Sequence, residues 1–176
     1  NAMWIRLLPE ASAAQLAWVL SSLVATVLAG AALFACKPAA AFGRGAGRNG
    51  RVNALLATCV VAVWGLLVSP TSWAHHWVWS IPLILTSLVV AARTDSRRAY
   101  VAYNAIAVSG ILIFAVGPYQ FLPMVARHWT VFDHIVGNAF SLWGIAALIV
   151  IWLLPFSPAR AATRAADQPL AEIRSV

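Results

Sequence analysis

Two adjacent histidines, His75 and His76, stand in the stretch Ser69-Pro70-Thr71-Ser72-Trp73-Ala74-His75-His76-Trp77-Val78-Trp79, which also holds three tryptophans and no formal charge. Imidazole changes its charge near neutral pH, and histidine at membrane depth is uncommon unless it is used. A metal site would need several ligands converging on one ion. Neighbours on an α-helix diverge by about 100°, and no His-Glu-x-x-His pattern is present. No metal is therefore expected. Haem held between helices would want histidines on facing helices, at both depths for a two-haem stack. What remains is a titratable donor at a helix start. Ser69 before Pro70, or Thr71 or Ser72 as N-cap, would begin a helix just ahead of His75. The free N–H groups and dipole of that turn suit a phosphate, to which histidine adds a hydrogen bond. The plain alternative is an interfacial aromatic belt, in which Trp73, Trp77, Trp79 and Trp129 mark only the membrane surface.

The elements around this stretch follow from composition. The chain has 176 residues, 62% of them apolar and 10% charged, against roughly 25% charged in a soluble domain. Its apolar runs have the length that crosses a bilayer, roughly 17–25 residues. The expected fold is all-α, a polytopic membrane helix bundle with about five transmembrane helices at 13–36, 52–69, 73–92, 100–117 and 135–154. They form one transmembrane region, 1–154, followed by a disordered basic tail, 155–176. The third span needs its start at Trp73, because 77–92 alone is too short. His75 and His76 then fall in its first turn, where α-helical spacing pairs His76 with Ser80 and His75 with Trp79. Pro82 should remove the bond to the Val78 carbonyl and kink this helix. Cys36 and Cys59 lie in or at the end of apolar runs and read as packing residues.

Charge sets orientation. Lys37, Arg44, Arg48 and Arg51 share one loop, Arg93, Arg97 and Arg98 another, and Arg160, Arg164 and Arg174 the tail. With five spans, these ten of the twelve basic residues fall on one side, which the positive-inside rule makes cytoplasmic. The net charge of +7 then reflects orientation and attraction to anionic headgroups. Nothing in the pattern suits nucleic acid. The expected location is the plasma (inner) membrane, crossed several times. All four histidines come to the extracytoplasmic side, where Arg127, His128, Asp133 and His134 are further candidates for a site beside His75 and His76.

The stretch from Ser69 to Trp79, leading from one apolar helix into another, resembles the signature of actinobacterial polyprenyl-phosphate-mannose-dependent α-1,2-mannosyltransferases, members of glycosyltransferase family 87 with the GT-C type membrane fold. The opening Asn1-Ala2-Met3-Trp4-Ile5-Arg6 also resembles a family stretch. The resemblance covers the chain up to its tail, as the C-terminal part of a longer enzyme. It implies transfer of mannose from a polyprenyl phosphate donor to a hydroxyl of a glycan or glycolipid, on the extracytoplasmic side, with inversion. It implies no cofactor beyond that lipid donor. The family's base is an acidic residue in an early outer loop. Glu10 and Asp133 match no such motif, so no catalytic residue is expected in this chain, and the chain alone is expected to be inactive. His76 and His75, with Trp73 and Trp77, are carried over as contacts to the donor's phosphate or sugar.

The competing function is a transporter or a structural membrane subunit without enzymatic activity. Transporters place polar residues and broken helices near the midplane. Here the mid-span candidate is Asn104, near Ser109-Gly110, and an interhelical hydrogen bond explains it as well.

Overall fold

The computed structural model describes residues 4, 7–8, 10–37, 47–69, 74–122 and 129–157. Within them the protein is all-α. Its α-helices are α1 (Ala11–Ala35), α2 (Arg48–Val68), α3 (Ser80–Arg93), α4 (Arg97–Val116), α5 (Val131–Gly137) and α6 (Ala139–Leu153). A 3-10 helix, Ala74–Trp79, runs directly into α3, and a second, Pro118–Phe121, follows α4. Four segments are long and apolar enough to cross a membrane: α1, α2, His76–Arg93 and α4. The bent pair of α5 and α6 passes the same test only when the two are counted together, which gives four or five spans. This is the expected polytopic bundle. Of the expected tail, Phe156 is buried in the core, so the packed region runs past 154, and residues 158–176 lie outside the described residues, as do Arg44, Trp73, Arg127 and His128.

Local chemistry sets the helix ends. Ser69 leaves the helical conformation just before Pro70, as the residue ahead of a proline prefers. Ser96 caps α4 by accepting from the Ala99 N–H at 3.3 Å. Gly117, at φ 58°, ends it in the left-handed conformation that glycine adopts without strain. Thr130 opens α5 with a capping box: its hydroxyl accepts from the Asp133 N–H, and the Asp133 carboxylate accepts from the Thr130 N–H.

The spans form a ring. α1 packs on α2, α2 on α3, α3 on α4, α4 on α6 and α6 back on α1, with α2 and α6 also touching across it. α3 and α4 share the most extensive contact, and Gly110 lets side chains come close to α4. A Cβ there would stand 2.8 Å from Trp143 and 2.9 Å from Ile84. The missing side chain admits Trp143, whose indole N–H donates to the Ile106 carbonyl at 3.0 Å. At the other end of α4, the Tyr103 hydroxyl donates to the Leu154 carbonyl at 3.1 Å. In lipid such close packing and interhelical bonds replace the hydrophobic drive of soluble cores. Cys36 and Cys59 are free thiols, both buried. Asn104 bonds within its own helix, to the Tyr100 carbonyl at 2.8 Å, so the interhelical bond expected of it is not what it makes.

The fifth span differs from the continuous helix expected over 135–154. It breaks at Asn138, with a bend of 68° between α5 and α6. The Asn138 side chain donates to the His134 carbonyl at 2.7 Å, taking up an acceptor at the end of α5. At Gly137 a Cβ would run into the Trp129 ring. That ring lies across the break and sits 5.5 Å from the His134 imidazole.

Candidate functional site

His75 and His76 lie not in the first turn of an α-helix but in the 3-10 helix Ala74–Trp79. The difference decides which side chains meet. A 3-10 helix has 3.0 residues per turn, so residues three apart eclipse. Trp77 and Ser80 accordingly share the buried side, at 4% and 1% exposure, and Leu83, in the first turn of α3, continues it at 0%. His76 and Trp79 share the open side and line one groove. The α-helical pairing of His76 with Ser80 is thus corrected: Ser80 is in the core, donating to the Trp77 carbonyl at 2.6 Å. Pro82 sits in the first turn of α3, where a missing N–H costs little. Just ahead of it, at Ser80, the winding changes from 3-10 to α, within a segment that remains one span from His76 to Arg93.

Trp77 anchors the segment. Its ring lies 6.0 Å from Phe114 and 5.8 Å from Phe140. Phe114 in turn meets Phe140 at 4.6 Å and Trp143 edge-on at 5.2 Å. Such pairs each add about 0.5–1.5 kcal/mol beyond area burial. Trp77 was expected to line the site; buried among α4 and α6, it instead holds the turn that presents His76. Trp79, counted at first only in the aromatic belt, takes the lining position.

The groove has a volume of about 770 Å³. One face of α2 forms its floor, with Thr58, Val61, Ala62, Gly65 and Ser69 at helical spacing, and Leu33 of α1 adds to its lining. From Thr58 to Ser69 it runs about 16 Å at 1.5 Å per residue. Ser69, His76 and Trp79 gather at its mouth. Inside, the Thr58 hydroxyl is spent on the Ala54 carbonyl at 3.0 Å, so the interior is apolar in effect. The small side chains that hollow it, Thr58, Ala62 and Gly65 at intervals of four and three, stand in the sequence as a stripe on one helix face. Nothing in the sequence showed that the 3-10 turn would place His76 at its end.

The other expected site residues lie apart from this groove or outside the description. The His75 backbone belongs to the 3-10 helix; its side chain lies outside the described residues, as do Trp73, Arg127 and His128. Asp133 is occupied as the cap partner of Thr130, whose hydroxyl lies 2.7 Å from its carboxylate. His134 packs on Trp129 at α5 and does not line the groove.

An apolar channel with an imidazole, a hydroxyl and an indole at its mouth can seat a long hydrocarbon with a polar or anionic head. The chain is 34% identical over 107 residues to the polyprenol-phosphate-mannose-dependent alpha-(1-2)-phosphatidylinositol mannoside mannosyltransferase of Mycolicibacterium smegmatis, a match covering 58% of this chain and 23% of that protein. It is 33% identical over 113 residues to the protein of the same name from Mycobacterium tuberculosis, covering 62% of this chain and 26% of the relative. A pentamannoside mannosyltransferase of Mycobacterium tuberculosis is 53% identical over 38 residues, 22% of this chain and 8% of that protein. No family model and no solved structure matches the chain. The matched stretch thus spans about a quarter of the length of the first two relatives. By sequence, the chain is a homologue of one part of the polyprenol-phosphate-mannose-dependent α-1,2-mannosyltransferases.

Proposed function

We propose that this chain is part of a membrane glycosyltransferase that moves mannose from a polyprenyl phosphate donor to a glycan or glycolipid acceptor on the extracytoplasmic side. The observation that carries this reading is the groove along α2, apolar for about 16 Å and ending at Ser69, His76 and Trp79. In this reading the polyprenyl chain lies along the groove. His76 donates to the phosphate, and Trp79 flanks the sugar–phosphate junction. His75, Trp73 and the outer-loop residues Arg127, His128 and His134 complete the donor side. The base comes from elsewhere in the full enzyme, so the chain alone does not turn over. The relatives' names favour a lipid-anchored acceptor. In a transporter Asn104 would offer an intramembrane polar site; its amide is instead bound to the Tyr100 carbonyl.

The test is mannose transfer by the full-length protein from polyprenyl-phosphate-mannose. A hydrogen bond to a charged group contributes about 1.5–3 kcal/mol, so His76→Ala should slow transfer roughly 10- to 150-fold. His76→Gln should restore part of it. His75→Ala should cost less activity. Equal, small losses for His75→Ala and His76→Ala, with the donor's apparent affinity intact, would reject the phosphate contact. Full-length protein that transfers no mannose from this donor would reject the function itself.

A further inference from the structure

α5 is a short helix with two unlike faces. At about 100° per residue, Val131, Ile135 and Phe132 fall within one arc of about 100°, with Asp133 and His134 beyond it. The three apolar side chains are 78%, 55% and 70% exposed, and Phe121, in the neighbouring 3-10 helix, is 76% exposed. Asp133 and Thr130 meanwhile cap each other at the start of the same helix. Four large apolar side chains left open near a polar edge call for an apolar partner.

The bend identifies that partner. α6 has 15 residues, about 22 Å, against a hydrocarbon core of about 30 Å. Turned by 68°, α5 adds only about 4 Å along the direction of α6. It therefore runs across the end of the bundle rather than through the membrane with it. Exposed apolar side chains also stand on the neighbouring ends of α4 and α6, at Leu112, Val116 and Leu142. Ile135 and Val136 also line an apolar groove of about 380 Å³ between α4 and α6, together with Pro118 and Leu142.

We propose that α5 lies flat in the bilayer interface at the end of the bundle that carries His76, with Phe121, Val131, Phe132 and Ile135 dipping among the acyl chains and Asp133 facing water. Interfacial amphipathic helices bind this way, by apolar area buried at the headgroup boundary. The arrangement does not depend on the transferase reading. It makes α5 a membrane-seated strut that sets the height of the groove mouth relative to the lipid surface.

Nitroxide labels test it in the full chain, with Cys36 and Cys59 replaced by alanine and the protein in vesicles of phosphatidylcholine and phosphatidylglycerol. Single cysteines at Val131, Phe132, Asp133 and Ile135 carry the label, all outside the core. Labels at Val131, Phe132 and Ile135 should collide with oxygen several-fold more than with a water-soluble nickel chelate, and the label at Asp133 should show the reverse. The three apolar sites should lie at one depth. A depth that increases steadily by about 1.5 Å per residue from 131 to 135 would mean a continuous span and overturn the proposal. Equal nickel access at all four sites would place α5 in water, and labels shielded from both reagents would place it against protein; either result also overturns it.

Discussion

His76 and Trp79 stand three residues apart on a helix of three residues per turn, and that coincidence puts an imidazole and an indole at one groove mouth. The groove itself depends on what is missing from α2. A Cβ built at Gly65 meets nothing within 4 Å, so a larger side chain there enters the groove rather than the core. Gly65→Leu should leave the melting temperature unchanged or higher, since glycine in a helix interior costs about 0.5–1 kcal/mol against alanine. Excluding about two methylenes of donor chain, at about 0.8 kcal/mol each, should raise the apparent KM for the lipid donor roughly tenfold, with kcat nearly unchanged. Steady-state kinetics of the full-length protein measure both; an unaltered KM would leave the groove without a role in donor binding.

At the scale of elements, the 3-10 helix Ala74–Trp79 is stabilised from both ends, by Trp77 in its aromatic cluster and by Pro82 in the first turn of α3. Pro82 is exposed, so its replacement removes little packing. Pro82→Ala restores an N–H and a strong α-former, which favours α-helical winding back through Trp79. His76 and Trp79 would then lose their alignment. Transfer should fall several-fold while the unfolding temperature stays within a few degrees; unchanged turnover would mean that the helix type ahead of Pro82 does not matter. Gly110→Ala makes the opposite case. Its Cβ would stand 2.8 Å from Trp143, and overpacking of this kind costs about 1–3 kcal/mol. Thermal unfolding in detergent should register that loss directly.

For the whole molecule the clearest asymmetry is electrical. Among the described residues, Lys37, Arg48, Arg51, Arg93, Arg97 and Arg98 all fall at the bundle end opposite the groove mouth. Four of these arginines stand in the first turns of α2 and α4, neither of which has an acidic residue there. Cations at helix N-termini oppose the dipole, so helix stability does not account for them. We propose that the positive-inside rule does, with this end of the bundle cytoplasmic. A membrane-impermeant thiol reagent added from outside should label a cysteine at Asp133, on the water-facing side of α5, and fail to label one at Ser96. The reverse pattern would invert the protein and move the groove mouth to the cytoplasmic side.

Apolar run length and loop charge were enough to read the all-α polytopic bundle from the sequence, because the bilayer imposes one thickness and one rule of backbone satisfaction on every span. The residues from Ser69 to Trp79 likewise pointed to the family, through their resemblance to its signature. What the sequence could not decide was winding and direction. The step from 100° to about 120° per residue around His76 exchanges Ser80 for Trp79 as its neighbour. It depends on Trp77 finding Phe114 and Phe140, which lie 37 and 63 positions further along the chain. The break at Asn138 was hidden for a similar reason. Residues 135–154 read as one apolar run, and only the Trp129 ring, seated where a Cβ on Gly137 would be, and the bond from Asn138 to His134 turn α5 away from α6. Periodicity is a property of a segment by itself; which of two nearly equal windings it adopts is decided by the side chains that other segments bring against it.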